Sequence, residues 1–265
     1  MRVPSTFGQY VPVDSPVHTL DARAKMGVIA AFTLGLFLAD GFLGLAVFAA
    51  AVAVVVRVSR VPARIAFRGV RALGLILVFT LLAHALRWEP ATVMLVRLGP
   101  IGIDAEGLRT GIFFAVRIVL LMAGTSLLTL TTTPVQLTDG LESVMRPGAA
   151  LGLPTGEIAM MLTIALRFIP TTAQEAERLI IAQSARGARF DEGSLVARVR
   201  AYVPVLVPLF VNLFRRAEDL ATAMDARCYR GGEGRTRLHA AVMTVRDWLV
   251  LLLCGIGLVV TGIVL

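Results

Sequence analysis

Apolar positions along the chain come in long blocks separated by short charged stretches, not in the period of two that strands require. The first block runs from Met26 to Val56 and is broken only at Asp40-Gly41. At about 1.5 Å per residue it is too long for one perpendicular crossing of a bilayer. Asp21 is placed to cap a helix from Ala22 to Ala39, and a second helix follows from Gly41 to about Ser59. Further blocks predict spans over Ala72 to Leu86, about Leu108 to Leu130, and Asp247 to Leu265. Between Pro134 and about Ala240 the helical period continues but charge rises. One long helix is expected over Ile158 to Ala188, with Pro170 kinking it or ending its apolar half. A second is expected from Leu195 to about Cys228, with Pro204 and Pro208 near its middle. Neither offers a clean uncharged run of about eighteen residues, so both read as amphipathic helices lying on the membrane surface. Gly231-Gly232-Glu233-Gly234 reads as a flexible break.

Charge decides how these blocks are threaded. Arg57, Arg60, Arg64, Arg68 and Arg71 follow the first block, and Arg23 and Lys25 precede it. Both clusters belong on the cytoplasmic side by the positive-inside rule, which requires the block to cross twice, turning at Asp40-Gly41. The loop with Arg87, Glu89, Arg97, Asp104 and Glu106 carries mixed charge and suits the outside. The expected fold is an all-α membrane protein of about five transmembrane helices with a cytoplasmic N-terminus. Residues 1–133 hold the first four spans, 134–240 a large cytoplasmic region of amphipathic helices, and 241–265 the last span. Arg109 can snorkel to the outer interface. Arg117 is some two turns deeper and must face the bundle, a polar partner or water.

The composition agrees with lipid as the solvent. Of 265 residues 57% are hydrophobic and 17% charged, against about 45–50% and 25% in soluble domains. The net charge is +8, and Lys25 is the single lysine among 26 basic residues. In so apolar a chain this excess retains loops in the cytoplasm; no basic stretch is interleaved with aromatics as nucleic-acid binding needs. Cys228 and Cys254 fall in different surroundings and read as free thiols. The first twenty-five residues lack the apolar stretch of a cleavable signal.

Catalysis has little to stand on. His18, His84 and His239 are far apart, and no zinc signature, nucleophile elbow or phosphate-binding loop occurs. No catalytic residue, metal ligand or cofactor is expected. What recurs is a tripeptide: Ala185-Arg186-Gly187 near the end of one predicted helix and Ala226-Arg227-Cys228 near the end of the other. Small neighbours let a second protein approach the backbone and leave the guanidinium free to pair with a carboxylate. Arginine also favours helix C-termini through the dipole alone, and spacing does not choose between the two readings.

Three further segments narrow the choice. Gly8-Gln9-Tyr10-Val11-Pro12, Asp14-Ser15-Pro16-Val17-His18 and Leu20-Asp21-Ala22-Arg23-Ala24-Lys25 resemble the opening of the transmembrane coupling subunits, or T components, of energy-coupling factor transporters. Gln183-Ser184-Ala185-Arg186-Gly187 is similar to that family's first signature. Ala221-Thr222-Ala223-Met224-Asp225-Ala226-Arg227-Cys228-Tyr229-Arg230-Gly231-Gly232 is similar to its second, with cysteine where glycine or serine is usual. The resemblance spans nearly the whole chain. It implies a non-catalytic subunit of an ATP-driven importer in a bacterial or archaeal plasma membrane. The implied partners are two ATP-binding-cassette ATPases, reached through Arg186 and Arg227, and a membrane S component that binds a vitamin or other micronutrient. The S component is expected against the remaining face of the coupling helices and the apolar part of Ile158 to Ile169. The rival reading is a stand-alone channel or secondary transporter, for which Arg117 and a few threonines (Thr125, Thr129, Thr131 to Thr133) are the intramembrane polar groups available. An intramembrane hydrolase is a third.

Overall fold

The computed structural model describes residues 10–67, 69–70, 73–87, 94–98, 101–152, 154–231 and 243–264. Gly8-Gln9 of the opening motif, Ala72, Glu89, His239 and Gly232-Glu233-Gly234 lie outside them. The helices are α1 (Ala22–Leu38), α2 (Phe42–Ser59), a single turn α3 (Ala63–Ala66), α4 (Gly74–Ala85), α5 (Ala105–Thr131), α6 (Pro134–Met145), α7 (Thr155–Ala185), α8 (Leu195–Ala226) and α9 (Val245–Val264), with a 3-10 segment over Arg146–Leu151. Three short strands, β1 (Leu86–Arg87), β2 (Met94–Leu98) and β3 (Ile101–Asp104), form an antiparallel sheet in the order β1-β3-β2 where the sequence suggested a loop. The chain divides into two units, residues 1–140 with 239–265, and residues 141–238.

In the first unit, α2, α5 and α9 are long and apolar enough to cross a membrane; in the second, α8 is as well. That set differs from the sequence expectation. α1, with 17 residues, is at the lower limit for a crossing, and α4, with 12, is shorter than a full crossing needs. Residues 195–226, which the sequence reads as a surface helix, also hold an apolar stretch of spanning length beyond Arg198 and Arg200.

The direction of each helix follows from its contacts. α5 runs antiparallel to α1: Lys25 Nζ donates to the Thr131 carbonyl at 2.9 Å near one end, Phe32 meets Gly124 midway, and Arg117 donates to the Ala39 carbonyl at the other. α9 runs parallel to α1, with Gly27 against Leu251, Ala31 against Gly255 and Gly35 against Gly262. A side chain at Gly35 or Gly262 would collide with the facing backbone, so these glycines permit the close approach by which helices associate in lipid. The core between α1, α2 and α5 is Phe32, Leu36, Phe48, Leu120, Leu127 and Leu130, with Phe32 and Phe48 edge-to-face at 5.5 Å.

The end of this unit where α1 and α9 begin and α5 finishes is tied by polar groups. Asp21 caps α1 by accepting from Arg23 N–H at 2.9 Å, and its own N–H donates to Asp247 Oδ1 at 3.1 Å. Asp247, 4% exposed, also accepts from the N–H and hydroxyl of Thr244, which starts α9. Val11 N–H donates to the Leu130 carbonyl, His18 Nε2 bonds the Val11 carbonyl, and Arg246 donates to the Pro16 carbonyl. The opening motif is thus the knot that gathers three helix ends on one face. Chain leaves the unit at this face after α5 and re-enters it there at α9.

Candidate coupling site

The two arginine tripeptides end α7 and α8, and the structure places them in the same local conformation. At the end of α7 the Gly187 N–H donates to the Ser184 carbonyl at 3.0 Å and the Ala188 N–H to the Gln183 carbonyl at 3.0 Å. At the end of α8 the Cys228 N–H donates to the Asp225 carbonyl at 2.9 Å and the Tyr229 N–H to the Met224 carbonyl at 3.1 Å. Both patterns are Schellman motifs, which satisfy the last carbonyls of a helix by turning one residue left-handed. That residue is Gly187, with φ +89°, in one and Cys228, with φ +54°, in the other. Ala185 and Ala226 are the last helical residues, and Arg186 and Arg227 are the C-caps.

The third position of each tripeptide therefore has a backbone reason to be glycine. Cys228 holds a conformation that costs an L-residue about 1–2 kcal/mol. Sequence reasoning took its smallness as sufficient; the left-handed turn is the stricter demand. All six residues are exposed, and neither guanidinium meets an acceptor among the described residues.

The structure holds the two motifs apart. α7 and α8 run in opposite senses: Ile164 and Phe168 share a groove with Leu220 and Met224, and Phe190 lies 4.8 Å from Tyr202. Between these contacts Glu175 on α7 accepts from Asn212 Nδ2 and from Arg216 Nη2 on α8, both at 2.6 Å. Roughly 16 Å of helix separates Glu175 from Arg186, and a similar length separates Arg216 from Arg227, in opposite directions. Each arginine is thus at a far end of an antiparallel helix pair whose polar clamp lies between them. Sequence reasoning missed this clamp. Asn212 and Arg216 stand four apart on one helix face, and that spacing was the available signal.

Pro170 does not end α7, nor do Pro204 and Pro208 end α8; both helices are continuous through them. Arg117, the deep arginine, is a structural group: it bonds the C-cap carbonyl of α1 and lies over the Phe113 ring at 4.6 Å. No group of three or more His, Cys, Asp or Glu able to hold a metal occurs among the described residues.

A multi-pass helical membrane protein with paired, outward-facing arginine caps is the class these features define. The family model described as cobalt transport protein matches residues 14–238. Relatives include the energy-coupling factor transporter transmembrane proteins EcfT of Heliobacterium modesticaldum, 51% identical over 92% of this chain and 91% of that one, and of Thermanaerovibrio acidaminovorans, 48% identical over 95% and 93%. That of Listeria innocua is 44% identical over 88% of each. The chain belongs to the family of energy-coupling factor transporter T components.

Proposed function

We propose that this chain links two ATP-binding-cassette ATPases to a substrate-binding S component in the plasma membrane and converts closure of the ATPases into movement of the S component. The observation that carries this reading is the pair of matching Schellman ends, each presenting an exposed arginine that meets no acceptor among the described residues. One such end suits one groove; two, at opposite ends of a helix pair, suit two ATPases. Arg186 and Arg227 each pair with a carboxylate in its groove. Ala185, Gly187, Ala226 and Cys228 keep the approach close.

The threading of the first unit supports a cytoplasmic position for both helices. Since α5 ends on the face where α9 begins, the segment between them crosses the bilayer an even number of times. α7 has no stretch long and apolar enough to cross, so α8 does not cross alone. Its exposed Val199, Val203, Leu206, Phe210 and Phe214, with Met161 and Leu162 of α7, instead offer an apolar face for lipid or the S component. α7 and α8 transmit the ATPase motion, and the lost backbone donors at Pro170, Pro204 and Pro208 are where they bend. The chain itself binds neither ATP nor substrate.

Arg186→Glu or Arg227→Glu is expected to abolish substrate uptake, because each sets like charges together, and to release the ATPases on purification. Uptake that survives the double reversal removes the arginines from this role. Substrate transport by the chain reconstituted without ATPases establishes the stand-alone transporter instead.

A further inference from the structure

The membrane unit contains a cavity of about 420 Å³ between α1, α2, α5 and α9. That volume falls within the roughly 300–1,000 Å³ of small-molecule sites. Its walls are almost wholly apolar, with Phe32, Val52, Leu127, Leu253 and Leu258 among them. The cavity follows α9 from Val250 to Leu258, about 12 Å.

Among the described residues that line it, Lys25 is the charged one. Lys25 is 7% exposed, and its Nζ donates to the carbonyls of Thr131 at 2.9 Å and His18 at 3.3 Å. An ammonium has three donors, so one remains. No carboxylate among the described residues lies within ion-pair distance of Nζ. Asp21 and Asp247 are nearby, but Asp21 accepts from the Arg23 N–H, and Asp247 accepts from Asp21 N–H and Thr244. Both carboxylates attract the buried ammonium from a distance, but neither is in direct contact with it. Lys25 stands at the end of the cavity next to the knotted face. α2 also finishes at that face, with Arg57 in its last turn and Arg60 and Arg64 after it. An occupant that satisfies the whole site has a hydrocarbon chain for the walls and a net negative head for this end.

We infer that the cavity binds one acyl chain of an anionic phospholipid drawn from the adjacent leaflet, with its headgroup phosphate at Lys25. The lipid supplies a direct acceptor for the remaining Nζ donor and fills the space between four helices. Such a lipid is a structural ligand of the membrane unit, separate from the arginine caps and from any transported substrate.

Gly257 provides a clean test. It lines the cavity, and a Cβ added there meets no atom within 4 Å, so Gly257→Phe introduces bulk at the cavity wall without a clash at its Cβ. The full chain, purified in mild detergent and stripped of lipid, is titrated with phosphatidylglycerol or phosphatidylcholine and read by native mass spectrometry. The expected result is one tightly retained phosphatidylglycerol per chain, with roughly tenfold or greater preference over phosphatidylcholine. Gly257→Phe is expected to remove that lipid while leaving the lipid-free melting temperature unchanged. Lys25→Gln is expected to keep the lipid but erase the preference. Equal retention of the two lipids, retention undiminished in Gly257→Phe, or a free fatty acid held in place of the phospholipid overturns the inference.

Discussion

Arg117 sits midway along the apolar helix α5, level with the end of α1, and its Nη2 and ring contacts are made there. Its guanidinium covers the last carbonyl of α1 and stacks on Phe113, so one side chain closes a helix end at the Asp40-Gly41 turn. Replacing it by methionine leaves the Ala39 carbonyl without that donor, at an expected cost of about 1–3 kcal/mol. Thermal unfolding of the purified protein reads this loss. The two left-handed positions make opposite predictions. Gly187→Ala puts a Cβ where φ is +89° and is expected to destabilise the end of α7 by about 1 kcal/mol. Cys228→Gly relieves the same strain at the end of α8 and is expected to stabilise it by a similar amount. Melting temperatures that move in the same direction for the two variants contradict the shared cap geometry.

Among the elements, α7 and α8 depend most on a few contacts. Their faces are largely exposed, and Glu175 is the group that joins them through two short hydrogen bonds. Glu175→Ala leaves Asn212 and Arg216 unpaired and lets the two arginine ends drift relative to each other. A spin-label distance between positions 189 and 230 is expected to broaden in Glu175→Ala, and Glu175→Gln, which keeps the Asn212 bond, to broaden it less. A distribution identical to the parent excludes the clamp. Much of this level was readable from residues alone. The Asp21 cap, the Asp40-Gly41 break and the block lengths put α1, α2, α5 and α9 within a few residues of their observed ends, because local hydropathy and capping decide them. The shortness of α4 and the small β-sheet were not, since both depend on pairing outside the block. Glu175 reaches partners 37 and 41 residues away, and the Asp21–Asp247 bond spans 226. Contacts of that range leave no local periodicity. The left-handed turn at Cys228 was hidden for another reason, since cysteine carries none of the signal that glycine does.

For the molecule as a whole, the two cysteines give a direct test of threading. Both are exposed, Cys228 at the end of α8 and Cys254 on α9, where it lines the cavity. With Cys254 replaced by serine, a membrane-impermeant maleimide is expected to label Cys228 in inside-out vesicles and not in intact cells, and added ATPases are expected to protect it. Labelling from the outside reverses the sidedness. The parallel pairing of α1 with α9 also has a bearing on biogenesis. α1 enters the membrane with its glycine face uncovered, and its partner α9 is delivered only after α8 has been made. Closing a loop of 226 residues costs about 5 kcal/mol of chain entropy, recovered when the glycine faces meet and Asp247 reaches Asp21. Until then the bundle is an open half-shell, and a polypeptide cut short before Val245 stays one, marked for proteolysis by the surface it cannot cover.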